Sequence, residues 1–225
     1  MNIATAHIEF KLALDKVSSS SYPELLPEEV DYFLNEATAR FVKQRYYKNN
    51  LFNLGFEEIQ KRTEDLKGIV VTNDVASVIA TGEERTYKYS LSSLTPPYLF
   101  YIRGRVLVTK SGCDPTYKSI KIVQQDDLEK LKLDPFNKTS VLEPLAYFED
   151  GSIYVLYDTS FGLGNIRVTY LRKPTVIVYT NSSNELCELS EHTHKEIVQL
   201  AVNIAIENIE SKRLVTQSEQ MKTIE

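Results

Sequence analysis

The sequence contains no tryptophan and only two cysteines, Cys113 and Cys187. Two cysteines are too few for a disulfide framework or for a cysteine-rich zinc site. We interpret both as free thiols of a protein that remains in a reducing compartment. We therefore expect that the protein uses neither a cofactor nor a metal.

The sequence also lacks long apolar runs. No stretch approaches the roughly 20 apolar residues that a membrane-spanning helix needs. The opening segment carries Glu9, Lys11 and Asp15, so it lacks the uninterrupted apolar stretch of a secretory signal. We therefore expect no membrane partner.

Signatures of the common catalytic classes are missing as well. The sequence has no P-loop, no nucleophile elbow and no His-Glu-x-x-His pattern. Gly162-Leu163-Gly164 precedes a predicted strand instead of a helix, so it does not fit the dinucleotide fingerprint. His192 and His194 are two residues apart at a helix start and point in different directions. They are poorly placed to share a zinc ion, even with Cys187 nearby.

Pairs of neighbouring acidic residues could in principle bind Mg²⁺ for nuclease chemistry. These pairs are Glu28-Glu29, Glu57-Glu58, Glu83-Glu84 and Asp126-Asp127. Each pair falls in a helix turn or a loop, where solvated charge is the usual role. A metal-dependent nuclease is one alternative, but we predict no catalytic residue and no enzyme.

Tyrosine, in contrast, is abundant, and the charges are unevenly placed. The chain of 225 residues has 14 tyrosines, whose apolar ring and polar hydroxyl suit β-sheets and wet interfaces. The net charge is −5, and between residues 185 and 225 glutamates outnumber Lys and Arg by eight to four. One segment has the opposite balance, with a single acidic residue and seven basic ones: Arg85, Lys88, Arg103, Arg105, Lys110, Lys118 and Lys121.

Helical periodicity marks both ends of the chain. Apolar residues at helical spacing predict helices from about Thr5 to Val17, from Pro27 to about Tyr47 and from Phe56 to Leu66. Pro27 suits an early helical position. A further apolar helix begins at Ser190 or Thr193 and extends to about Ile209.

In the middle of the chain the pattern favours strands. Short strands are predicted at 69–71, 78–79, 87–91, 99–108, 119–124, 165–171 and 174–178, with one or two helical turns at 126–133. Asp150-Gly151, flanked by alternating aromatic and β-branched residues, predicts a tight hairpin over 145–157 because the turn needs positive φ. Closely spaced strands with short turns favour an antiparallel sheet or small barrel.

These patterns together predict an α+β fold. We expect a helical layer built from the N-terminal and C-terminal helices, residues 1–67 and 185–225. An antiparallel β-domain is inserted between them at residues 68–184.

The basic segment is interleaved with aromatic residues, namely Tyr87, Tyr89, Tyr98, Phe100, Tyr101 and Tyr117. Such a combination can stack bases and neutralise phosphate groups. In a head-to-tail ring, the same basic β-face could instead meet the acidic C-terminal helix of the next copy. Plain solvated charge is a third interpretation, and the residues alone leave the three open.

Several stretches of the sequence resemble virion structural proteins of crAss-like tailed bacteriophages. They are residues 1–12, residues 26–35, Tyr170-Leu171-Arg172-Lys173-Pro174 and Ile197-Val198-Gln199-Leu200-Ala201-Val202. The resemblance spans nearly the whole chain and lies in the overall sequence, not in a chemical motif. It implies a head-to-tail connector or adaptor ring protein of the virion neck, made in the host cytoplasm.

The resemblance also implies partners and a role. The protein would form a dodecameric ring that bridges portal and tail and stabilises the DNA exit channel. Its partners would be copies of itself, the portal protein and further neck or tail ring proteins. Non-specific contact with genomic DNA is an option, and a DNA-binding accessory virion protein that uses the basic β-face is the alternative. A C-terminal extension would dock into the portal through Lys212, Arg213, Leu214, Val215, Met221 and Ile224.

Overall fold

The computed structural model divides the chain into two compact units. It describes residues 1–15, 25–47, 56–79, 85–181 and 184–208. Met1–Ile69 and Pro174–Glu225 form the first unit, and Val70–Lys173 form the second. The first unit is helical and the second is mainly β-structure, so the predicted α+β class is confirmed. Residues 174–184, which the sequence analysis assigned to the β-domain, fall in the helical unit.

The elements follow one another in a simple order. Among the described residues the helices are α1 (Ile3–Asp15), α2 (Pro27–Tyr46), α3 (Gln60–Leu66), α4 (Gln125–Leu133) and α5 (His194–Asn208). The strands are β1 (Val70–Val75), β2 (Val78–Ile79), β3 (Thr86–Ser90), β4 (Tyr98–Lys110), β5 (Cys113–Ser119), β6 (Lys121–Ile122), β7 (Leu145–Glu149), β8 (Ser152–Leu156) and β9 (Gly162–Arg172). None of the described helices is both long and apolar enough to cross a membrane.

Helix α2 is the central element of the helical unit. Pro27 occupies its first turn, and the backbone N–H of Leu26 donates to the Glu29 carboxylate at 2.8 Å, which closes the N-terminus of the helix. Apolar residues at helical spacing are buried along one side: Val30, Leu34, Ala37 and Phe41. This side faces α5, whose Ile197, Ala201 and Ile204 are buried in the same unit.

A buried ion cluster joins the helices of this unit. The Arg45 guanidinium donates from Nη2 to the Glu196 carboxylate at 2.7 Å. Its Nε lies 3.1 Å from Oδ2 of Asp65, an ion-pair distance outside hydrogen-bond geometry. Oδ1 of the fully buried Asp65 lies 2.7 Å from Nε2 of His192. The cluster therefore connects α2, α3 and the start of α5.

The second unit contains two sheets. Sheet 1 has the strand order β1-β9-β4-β5 and is antiparallel throughout, and sheet 2 has the order β2-β3-β8-β7-β6. In sheet 2 only the β6–β7 pair of the described strands is parallel. The sheets share one core, to which sheet 1 contributes Val106, Val168 and Tyr170 and sheet 2 contributes Ile153 and Val155. On the opposite face of sheet 2, α4 packs Leu128 against Leu145, Tyr147 and Leu156.

The predicted hairpin at Asp150-Gly151 is confirmed. Asp150 has a φ of 44° and Gly151 a φ of 60°, and they connect β7 to β8. Positive φ at both central residues gives a turn whose twist matches that of the two strands.

Two strand predictions are wrong. Residues 174–178 form no strand, because side chains of α2 form hydrogen bonds with the backbone of this segment. The Asn35 amide bonds both the N–H and the carbonyl of Ile177 at 2.8 and 2.9 Å, and Asp31 accepts from the N–H of Tyr179 at 2.8 Å. The predicted strand at 119–124 is divided, because Ser119 ends β5 and only Lys121 and Ile122 form β6. The longer β5 was missed because Asp114 and Pro115 are unfavourable in strands.

The buried cluster predicts a large effect on stability. Replacing Arg45 by Met removes the buried cation that Asp65 and Glu196 share, which should cost about 3–5 kcal/mol of unfolding free energy. Urea denaturation followed by circular dichroism would measure the loss. Arg40→Met is the matched control, because Arg40 pairs with Glu36 at the surface and should cost less than about 1 kcal/mol. Equal losses in the two variants would contradict this role of the buried cluster.

Candidate interaction surface

One face of sheet 1 carries rows of polar side chains across its strands. Directly opposed residues in antiparallel strands point to the same face. One row runs through all four strands and consists of Asp74, Arg167, Arg105 and Ser119. The adjacent row consists of Thr72, Thr169 and Arg103. We call this side the outer face of sheet 1.

Strand alternation explains why these side chains point away from the core. In β4, Gly104, Val106 and Val108 are buried, whereas Arg103 is exposed and Arg105 is half-buried. Successive residues of a strand point to opposite faces, so burial of Val106 turns the arginines outward. The same β4 therefore supplies the core with one set of side chains and the outer face with another.

Arg167 is already engaged within the outer face. Its Nε and Nη2 donate to the two carboxylate oxygens of Asp74 at 2.7 and 3.0 Å. Its guanidinium also lies over the Tyr117 ring, 4.6 Å from the centroid. The hydrogen bond from Arg167 is the main reason why the pKa of Asp74 is held below its usual range. This pair is neutral as a whole.

Arg103 and Arg105 differ from Arg167 in their ion pairing. Neither forms an ion pair with any residue that the structure describes. As far as the described residues show, two guanidinium groups therefore lie without a carboxylate partner beside a neutral Asp74–Arg167 pair. Arginine in this setting can bind carboxylates or phosphates in a bidentate manner and can stack on aromatic rings.

The other basic residues predicted for the surface lie elsewhere in the β-unit. Lys118 is opposite Val106, so it belongs to the other face of sheet 1, and Lys110 is next to the β4–β5 turn. The remaining three belong to sheet 2 or its turns. Arg85 lies 3.7 Å from Asp158, Lys88 lies over the ring of Tyr154 and Lys121 lies 3.9 Å from Glu143. The structure thus brings only Arg103 and Arg105 of the seven together on the outer face.

Most of the aromatic residues of the basic segment pack in the core or against it. Tyr89 is fully buried and donates its hydroxyl to the Gly164 carbonyl at 2.6 Å, and burial raises its pKa. Tyr87, Tyr98 and Tyr101 pack against the same core. Tyr117 is opposite Leu107 and lies on the outer face. The rings therefore do not form the continuous stacking platform that their spacing in the sequence suggested.

The three histidines are structural contacts of the helical unit. His7 lies 2.8 Å from the buried Asp31, and His192 contacts Asp65. Nδ1 of His194 lies 3.3 Å from the N-terminal amino group. Burial raises the pKa of the nearby Cys187 thiol to about 11. Among the described residues, no group of three His, Cys, Asp or Glu side chains is arranged to hold a metal ion.

A cleft of about 420 Å³ also opens in the β-unit. Its charged lining includes two ion pairs, Arg85 with Asp158 and Lys132 with Glu129. These side chains are engaged with one another. The cleft does not assemble a nucleophile with a general base.

Sequence reasoning missed Arg167 as a surface residue. It lies in β9, far along the chain from the basic segment, and only strand pairing brings it next to Arg105. The alternation of Ile166 and Val168 with Arg167 does indicate a polar face of that strand. The six residues predicted for portal docking, from Lys212 to Ile224, lie outside the described residues.

The Asp74–Arg167 pair predicts a pH dependence of stability. Because the folded-state pKa of Asp74 is lowered below its unfolded value of about 3.9, the pair stabilises the fold above that pH. This contribution is lost as the pH falls through the folded-state pKa. Asp74→Asn should therefore lower the urea midpoint more at about pH 6 than at about pH 2. Asp114→Asn is the control, and an equal effect of Asp74→Asn at both values would contradict the prediction.

Comparison with known proteins connects this fold to phage virions. The sequence is 25% identical over 233 aligned residues to Ring protein 4/5 of Bacteroides phage crAss001, covering 91% of this chain and 92% of that protein. It is 24% identical over 193 residues to Ring protein 3 of the same phage, covering 79% and 83%. These relatives confirm the predicted resemblance to ring proteins of crAss-like phages. Since the family model described as phage tail ring protein 3/4 matches residues 1–220, this chain belongs to that family of structural virion proteins.

Proposed function

We propose that this protein is a ring subunit of the phage neck or tail that bridges portal and tail and surrounds the DNA exit channel. The observation that carries the proposal is the family match over residues 1–220. The names of the two relatives, Ring protein 4/5 and Ring protein 3, support ring assembly. The proposed role is structural, and it involves no catalytic step, cofactor or metal.

The proposed partners follow from this location. Copies of the chain form a closed dodecameric ring, in which one face of each subunit meets a different face of its neighbour. The portal protein and further ring proteins lie above and below the ring. The chain beyond residue 211 docks into the portal. The protein is made in the host cytoplasm and ends in the virion.

The outer face of sheet 1 suits such a contact. Arg103 and Arg105 project from β4, whose other side is fixed in the core by Val106 and Val108. A side chain on a regular strand is held more rigidly than one on a loop, so less conformational freedom is lost on binding. Arginine is also enriched at protein interfaces, where its planar group binds and stacks. We propose that this face contacts a neighbouring subunit.

Contact with the genomic DNA is the second candidate for the same face. The two uncompensated guanidinium groups of Arg103 and Arg105 support it, because arginine binds phosphate well. The core location of Tyr89, Tyr98 and Tyr101 leaves few rings to stack on bases. Subunit contact is therefore the stronger proposal.

An electron-microscopy map of the particle tests the location. We expect a ring of this chain between portal and tail, with the β-unit and helical unit each fitting the density. A particle whose neck and tail contain no copy of the chain would overturn the proposed function.

Charge reversal separates subunit contact from DNA contact. The double variant Arg103→Glu with Arg105→Glu should lower incorporation of the chain into particles by at least about tenfold if the face meets a subunit. Lys110→Glu with Lys118→Glu is the matched control, because it makes the same charge change on the same hairpin but off the outer face. Intact incorporation together with loss of salt-sensitive DNA binding would favour the second candidate.

A further inference from the structure

The acidic residues of α5 and of the segment before it largely form ion pairs or hydrogen bonds within their own unit. Glu196 bonds Arg45 at 2.7 Å, and Glu207 lies 3.7 Å from Arg40. Glu191 lies 3.4 Å from the N-terminal amino group, and Glu188 accepts from the N–H of Thr175 at 3.1 Å. These described carboxylates are therefore poor partners for the arginines of a neighbouring subunit.

A different acidic surface lies on α2. Glu28, Glu29, Tyr32 and Glu36 lie along the side of the helix opposite its buried residues. We call these four residues the acidic stripe. The Tyr32 side chain is 63% exposed, and Glu28 forms no ion pair with any described residue. Glu29 accepts from the Leu26 N–H and Glu36 pairs with Arg40, so the stripe offers mainly the Glu28 carboxylate beside the exposed Tyr32 ring.

We propose that the outer face of sheet 1 docks onto the acidic stripe of a second copy of this chain. This inference rests on the proposed function as a ring subunit, and it names the two surfaces that meet. The charges are opposite: within the described part of the chain, Arg103 and Arg105 on one surface and Glu28 on the other form no ion pair. Opposite charges on two surfaces promote association and fix their register.

The spacing of the groups also matches. Arg103 and Arg105 are two residues apart on a strand and lie about 6.7 Å apart along it. Glu28 and Tyr32 are four residues apart on a helix and lie about 6 Å apart along its axis. One arginine can therefore bind a carboxylate while the next stacks on Tyr32. The chain itself contains such a stack, between Arg167 and Tyr117.

This contact joins two unlike surfaces. Two outer faces would repel each other, because each carries the uncompensated charges of Arg103 and Arg105. Two acidic stripes would repel each other for the same reason. In the proposed ring, each subunit uses its outer face towards one neighbour and its acidic stripe towards the other, and a heterologous contact of this kind closes when the rotation allows.

Charge exchange tests the pairing with the purified chain. One variant combines Arg103→Glu and Arg105→Glu, a second combines Glu28→Arg and Glu36→Arg, and a third carries all four changes. Sedimentation velocity over a range of concentrations measures self-association. Each double variant should associate at least about tenfold more weakly than the unchanged chain. The quadruple variant should recover to within about threefold, because opposite charges face each other again.

Matched controls separate the pairing from effects on folding or total charge. Lys110→Glu with Lys118→Glu makes the same charge change as the variant of the outer face. Asp126→Arg with Glu129→Arg matches the α2 variant, because Asp126 lies in the first turn of α4 and Glu129 pairs with a lysine of its own helix. Both controls should associate like the unchanged chain, and circular dichroism should show that every variant remains folded at the temperature of the measurement.

The results have clear consequences for the proposal. A quadruple variant that associates as weakly as the double variants would overturn it, as would controls that weaken association equally. Absence of self-association in the unchanged chain would also overturn it, because the contact as described needs no third component. None of these results alters the test of the proposed function, which depends on the location of the chain in the particle.

Discussion

The helical unit depends on the burial of one guanidinium group. Arg45 lies near the end of α2 and is only 4% exposed, so its charge requires partners inside the fold. Those partners, Asp65 and Glu196, come from α3 and α5. A long insertion separates the two acidic residues in the sequence. The ion pairs of Arg45, together with the apolar packing of α2 on α5, therefore join the segments on either side of residues 70–173.

The β-unit is asymmetric in a way that suits an interaction. Its two sheets share one core, and α4 packs on the opposite face of sheet 2 through Leu128. The outer face of sheet 1 carries arginines and threonines together with Leu107 and Tyr117. Of these, Arg103 and Arg105 form no ion pair with any described residue. This difference from the paired Arg167 is the basis of the subunit contact that we propose.

The sequence predicted elements well where the signal was local. The long apolar pattern of α2 and the Asp150-Gly151 turn depend on nearby residues, and both were found close to their predicted positions. Prediction was wrong at residues 174–178, where Asn35 and Asp31 replace a strand partner. Arg167 was missed because local periodicity encodes neither strand pairing nor the contact of a helix with a segment that is distant in the sequence.

The alternation along β4 separates two kinds of heritable change. A substitution at Val106 or Val108 alters the core and changes the stability of the fold. A substitution at Arg103 or Arg105 leaves that core intact and alters only what the strand presents outward. Duplicated genes for such a chain can therefore diverge in partner choice while the fold stays the same. Paralogous rings within one virion can then become distinct without a new fold.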